Sequence, residues 1–168
     1  MEKSESKKHQ INNKRMWIDA LIFILGTILL SVLSSLIGGR MMNYLNWNRP
    51  QFAAYPTVYL VVRLIMYSLI GVAIFLVYRE TSRKKYNRTI DLICFYTQLT
   101  FYFFFPLFFF RLGLTIFSTV WIGIAVVLAI ITLVRFWANN TIAGILYTLY
   151  TIWLMYLFSV ALGCALLA

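Results

Sequence analysis

The chain has 168 residues, 62% of them hydrophobic and only 12% charged, where a soluble domain is roughly half apolar and about a quarter charged. No water-facing surface can be assembled from that composition, which excludes an ordinary soluble globular protein. The formal net charge of +10 raises nucleic acid as a partner, but its distribution along the chain assigns it elsewhere.

A bilayer core about 30 Å thick takes about 20 apolar residues at about 1.5 Å each. Five runs of that length occur, and they predict spans near residues 17–39, 56–78, 90–111, 112–135 and 141–167. The runs are continuous rather than alternating, and lipid forces the backbone to satisfy its own hydrogen bonds, so helices are expected and a barrel is not. The predicted fold class is therefore all-α and integral to the membrane. A single five-transmembrane-helix bundle over 17–168 follows a basic tail, 1–16, whose polar stretch around His9 reads as disordered.

The first run follows Trp17 and Asp19. It is longer than the h-region of a signal peptide, roughly 7 to 15 residues, and is kept as a helix although Ser31 to Gly39 offers small residues to a peptidase. Ser31, Ser35 and Gly39 form a small-xxx-small series, which lets another helix, of this chain or of a second copy, approach closely. A homodimer is one expectation.

The connection 40–55 is too aromatic for a simple hydrated loop. Its Tyr44, Trp47, Phe52 and Tyr55 suit either an interfacial belt or a lid over a cavity. In the second run Arg63 lies about 10 Å in from Pro56. It either snorkels to the interface or faces the interior and pairs with an anionic ligand group. The third run places Gln98 at mid-span, where a polar side chain should face protein, and Pro106 near its end, where a kink is expected. Only Arg111, Leu112 and Gly113 separate it from the fourth run, which fits a tight re-entry. On the last run Tyr147, Tyr150 and Trp153 make one aromatic stripe.

Five basic residues (Lys3, Lys7, Lys8, Lys14, Arg15) precede the first run and five (Arg79, Arg83, Lys84, Lys85, Arg88) separate the second from the third. With Arg135 they fall on one side of the membrane; Arg40, Arg49 and Arg111 fall on the other. The positive-inside rule then puts the N-terminus in the cytoplasm and the C-terminus outside. The clusters are topology signals with some attraction to anionic lipid, not a nucleic-acid surface. Cys94 and Cys164 lie in separate runs with no CxxC spacing, so neither a disulfide framework nor a zinc site is expected. The acids Glu2, Glu5, Asp19, Glu80 and Asp91 all lie outside the spans or at their ends, which leaves acid or base catalysis without a carboxylate inside the bundle. No phosphate loop or nucleophile elbow is present.

Three segments carry a family resemblance. The stretch Arg49-Pro50, Phe52, Pro56, Tyr59, Arg63, Tyr67, Gly71, Ala73 resembles the first loop and second helix of the TspO/MBR family, the tryptophan-rich sensory or translocator proteins. Gln98-Leu99 with the aromatic run to Phe108-Phe109 looks like that family's third helix, and Tyr150 with Trp153 is similar to its fifth. The matches occur in order, at the right spacing, over nearly the whole chain. The departures are Thr57 and Arg63 at the usual tryptophans of the second helix, Tyr102 for an asparagine, Phe105 for a tryptophan, Leu149 for a proline and Ala161 for an asparagine.

The resemblance implies a receptor whose pocket near the outer face is closed by loop 40–55 and takes porphyrin, haem or other flat lipophilic ligands. In vertebrate members the ligands include cholesterol and synthetic drugs. The ligand would lie among Tyr59, Arg63, Tyr67, Gln98, Tyr102, Tyr150 and Trp153 beneath a lid of Tyr44, Trp47 and Phe52. No cofactor is required and no metal ligand set exists. Porphyrin degradation in bacterial relatives relies on pocket tryptophans, of which Trp153 alone remains, so the enzymatic alternative is disfavoured. A scaffold or transport-associated role without ligand is the third reading. The expected partners are the bilayer and a small lipophilic molecule, in a bacterial plasma membrane.

Overall fold

The computed structural model describes residues 2–39, 41–80 and 85–167, and their side chains except at 2–15, 41–43, 80 and 85–88. Arg40 and the cluster Arg83 to Lys84 lie outside the described residues. Five helices account for nearly all of the rest: α1 Glu2–Gly38, α2 Pro56–Glu80, α3 Lys85–Pro106, α4 Thr115–Asn139 and α5 Thr141–Leu167. Each contains a stretch long and apolar enough to cross a membrane, and no strand occurs among the described residues. The all-α membrane bundle read from the apolar runs is the fold observed.

The boundaries follow local chemistry. The expected disordered tail is instead continuous with α1, since neither Gly nor Pro occurs before Gly26 and Lys, Glu, Gln and Arg are good helix formers. Helix α1 stops where Gly39 takes a φ of +69°, the left-handed conformation that ends helices. Pro56 opens α2, a position where its missing N–H is no loss. Pro106 ends α3 as a regular helix, and the chain continues as a π-helical turn, Leu107–Arg111, in which the Leu112 N–H reaches the Leu107 carbonyl at 3.0 Å. Gly113, with a φ of +66°, then reverses the chain. Helix α4 consequently starts at Thr115, not at Leu112, and runs to Asn139, past the expected end at Arg135. Asn140 is extended and its Oδ1 accepts the Ala143 N–H at 3.0 Å, capping α5.

Going round the bundle, the helices pack in the order α1, α2, α5, α4, α3, with α3 returning to α1. The small residues of α1 serve this internal packing: Thr27, Ser31, Ser34 and Gly38 are buried, whereas Gly39 is exposed. A Cβ at Gly71 would come within 2.4 Å of Thr27 Oγ1 and 3.0 Å of Ile24 Cα, so α1 and α2 approach as closely as they do because position 71 has no side chain. The lipid-facing surface is Leu, Ile and Val, among them Leu25, Leu29, Ile116 and Val134. The interior is aromatic, with Tyr44, Tyr67, Tyr102, Tyr147 and Tyr150 fully buried.

At the end of the bundle remote from loop 40–55, Asp91 of α3 is buried. It accepts from Arg135 Nε at 2.5 Å and Asn139 Nδ2 at 2.7 Å, both on α4. Arg135 is thus an ion-pair partner as well as a contributor to the charge asymmetry.

Candidate functional site

Loop 40–55 turns back onto the bundle. A short 3-10 helix, Met41–Asn46, drives Tyr44 inward until its ring is wholly buried, edge-on to Tyr59 and Phe110 at 5.9 and 5.4 Å. Its hydroxyl shares a hydrogen bond with Tyr59 at 3.3 Å. Burial pushes the Tyr44 phenol above its ordinary pKa, against the lowering influence of the Tyr59 hydrogen bond and the Arg49 charge. Trp47 packs edge-on to Tyr44 and Phe109, and Arg49 lies over the rings of Tyr44 and Tyr55 at 5.6 and 5.3 Å. The second half of the loop is held by one side chain of α5. The Tyr156 hydroxyl donates to the Phe52 carbonyl at 3.2 Å and accepts the Ala54 N–H at 3.0 Å. Tyr44 and Trp47 therefore cover the bundle, while the ring of Phe52 points outward, 57% exposed, and contributes only its backbone.

Beneath Tyr44, residues of three helices converge. Tyr59 and Arg63 of α2, Tyr102 and Phe105 of α3, Trp153 and Leu157 of α5, and Phe110 of the π-helical turn line a cavity of about 10 Å³. The Trp153 Nε1–H donates to the Tyr102 hydroxyl at 3.0 Å, which fixes both rings against one wall. Tyr59 stacks on Tyr156 at 6.3 Å and meets Trp153 at 6.0 Å. The polar edges of these rings are joined to one another or to Tyr44, an arrangement suited to an apolar guest.

Arg63 does not snorkel. It is 4% exposed and turns inward, one Nη donating to Ser34 Oγ of α1, which in turn donates to the Phe103 carbonyl of α3. Its guanidinium lies 5.6 Å from the Tyr67 ring centre and 5.3 Å from that of Tyr102, and those two rings stack on each other at 5.1 Å. Its Nε–H is buried with no partner among the described residues. No described acid lies beside it: Asp91 is paired with Arg135 at the other end, and Asp19 is near the start of the membrane-spanning part of α1, Met16–Gly38.

Gln98 is one layer deeper and does not line the cavity. Its Nε2 donates to the Tyr150 hydroxyl at 2.5 Å and its Oε1 accepts from the Tyr147 hydroxyl at 2.8 Å. Both hydrogen bonds run from α3 to α5, and Tyr150 meets Tyr102 edge-on at 5.5 Å. Of the residues singled out from sequence, Tyr59, Arg63, Tyr102 and Trp153 border one cavity. Tyr67, Gln98 and Tyr150 form the layer that supports it. Ser34, Phe105, Phe110, Tyr156 and Leu157 take part without having been singled out for the site. On the same end, Trp47, Asn48, Gly113, Thr115 and Cys164 line an open cleft of about 260 Å³.

This order of helices, this aromatic chamber and this folded-back loop accompany a direct match in sequence: the model of the TspO/MBR family matches residues 21–166. The chain belongs to the TspO/MBR family. The match spans all five helices, so the membership applies to the whole membrane domain. No curated protein matches the chain closely enough to add to it. Of the three positions where the resemblance leads one to expect tryptophan, Arg63 and Phe105 line the chamber. Thr57 itself is exposed on α2 and takes no part in the chamber. Among the described residues no group of three or more His, Cys, Asp or Glu side chains is placed to hold a metal ion.

Proposed function

We propose that this TspO-family protein is a membrane receptor for porphyrin- or haem-type ligands, or other flat lipophilic molecules, bearing an acid group. The ligand would sit between Tyr59, Tyr102 and Trp153, with its acid group on Arg63. The observation that carries this reading is Arg63 itself, a buried guanidinium at the wall of an aromatic chamber, with an unpartnered Nε–H and no described carboxylate beside it. Such a charge is stabilised by an anionic group presented in fixed geometry. With the N-terminus in the cytoplasm of a bacterial cell, the chamber opens toward the outer side of the plasma membrane.

A tetrapyrrole does not enter a cavity of about 10 Å³, since small-molecule pockets are about 300 to 1,000 Å³. Binding therefore requires Tyr44 and Trp47 to swing outward, which would merge the chamber with the cleft of about 260 Å³ that Trp47 also borders. The protein needs no resident cofactor for this role. Titration of the purified protein with protoporphyrin and with its dimethyl ester, followed by tryptophan quenching, tests the proposal. The free acid should bind about tenfold or more tighter than the ester, the worth of one charge-assisted contact, and Arg63→Leu should erase the preference. Equal affinity for acid and ester in the wild type, or no saturable binding, would overturn it.

A further inference from the structure

The open cleft beside the lid continues past it onto the lipid-facing side of α4. Gly113 and Thr115 line the cleft together with Trp47, Asn48 and Cys164, and the same two residues head a groove of about 570 Å³ formed with Leu114, Ile116, Phe117 and Val120. Those last four side chains are 46 to 72% exposed, so the rest of the chain leaves the groove uncovered. Thr115 is the first residue of the membrane-spanning stretch of α4. The cleft therefore sits at headgroup depth, and the groove descends from it into hydrocarbon, about 8 Å from Thr115 to Val120 at about 1.5 Å per residue. A water-soluble guest would lay polar groups against the groove, and a wholly apolar one would cover the polar side chains of the cleft without pairing them. An amphiphile of the bilayer, head in the cleft and chain in the groove, does neither.

The lining also selects the head. Asn48 offers an amide, Thr115 a hydroxyl and Trp47 an indole N–H, and no charged side chain lines the cleft. The described arginines at this end are directed elsewhere. Arg111 Nη1 donates to the Ile37 carbonyl at 3.3 Å; Arg49 lies over the rings of Tyr44 and Tyr55, and its unpaired Nη1 is buried away from the cleft wall. An anionic head would enter a partly desolvated cleft without a counter-charge, whereas a hydroxyl and ester head finds donors and an acceptor there. Trp47 belongs to both features. A Cβ at Gly113 would meet its ring at 3.6 Å, and the ring packs edge-on to Tyr44 and Phe109.

We propose that the cleft and groove together seat one neutral lipid of the diacylglycerol class, its head among Trp47, Asn48 and Thr115 and one chain along Ile116, Phe117 and Val120. The seated lipid packs against Trp47 and so against the lid. This inference rests on the cleft and groove and needs no tetrapyrrole, although a tetrapyrrole that opened the lid would have to displace the lipid head.

The test offers the full chain in detergent equal amounts of dioleoylglycerol and dioleoylphosphatidylglycerol and counts the lipids retained by native mass spectrometry. One dioleoylglycerol per chain should be retained, about tenfold or more in preference to the anionic lipid. Val120→Trp fills the groove from a lipid-facing position and should abolish retention. Val134→Trp, on the same helix and 65% exposed, should leave it unchanged. Thr115→Val, which removes one hydrogen bond from the head, should lower it about fivefold. No retained lipid, equal retention of the two lipids, preference for the anionic one, or the same retention in Val120→Trp as in Val134→Trp would overturn the seat. A two-chain species that Val120→Trp abolishes would give the groove to a second copy and overturn it as well. Lipid retention without porphyrin binding would leave this site standing and remove the receptor reading, and the converse result would do the opposite.

Discussion

Gln98 uses both ends of its amide on α5, its NH₂ on Tyr150 and its carbonyl on Tyr147, and this is how a polar side chain sits unexposed in the middle of a span. Gln98→Leu keeps the volume but leaves two buried phenols without their partner. The expected loss is about 1 to 2 kcal/mol, near the upper end of what interhelical hydrogen bonds contribute in membranes. Thermal unfolding in mild detergent would register it, and an unchanged Tm would mean the phenols re-pair elsewhere. That Gln98 faces protein was legible in the sequence, because a polar side chain at mid-span is costly against lipid; for Arg63 the sequence left snorkelling to the interface open. Ser34 was not legible, since a serine in a helix can hydrogen-bond its own preceding turn, as Ser35 does to the Ser31 carbonyl, and then signals nothing. Phe52 was assigned to the lid on residue type alone. A loop has no periodicity from which to read direction, and its ring proved to face outward.

Among the elements, loop 40–55 has two halves with different attachments. The half carrying Tyr44 and Trp47 rests on ring contacts, while the half at Phe52 to Ala54 is clamped by the Tyr156 hydroxyl. Tyr156→Phe removes two hydrogen bonds to the backbone of the loop. Each is worth about 1 kcal/mol, so the open population, and with it the porphyrin association rate in stopped-flow quenching, should rise about fivefold or more. A rate identical to wild type would show that lid opening does not limit entry. The helices themselves were legible as apolar runs, and so were the start of α2 at Pro56 and both ends of α5; the start of α4 was not. Helix α4 begins late because Leu112 to Leu114 complete a reversal set up by Pro106, the π-helical turn and Gly113, and hydropathy does not distinguish a lipid-facing turn from the first turn of a helix.

For the whole molecule the charge asymmetry makes a claim about orientation that the fold by itself does not contain. An odd number of spans puts the two termini on opposite sides. A C-terminal alkaline phosphatase fusion should therefore be active and a C-terminal fluorescent protein dark, with the reverse pattern for fusions after Glu80. Activity at both positions, or at neither, would contradict the assignment from basic residues. The circular order of helices also has a consequence in time. Sequence neighbours α1 and α2 touch, but the wall that Trp153 supplies belongs to α5, which is synthesised after the other four helices. When Arg63 first enters the bilayer, most of its chamber does not yet exist. Ser34, on the helix made immediately before, is already there to receive it. The two-helix hairpin thus brings its own berth for the charge, so α2 can be inserted and wait in lipid until the later helices arrive.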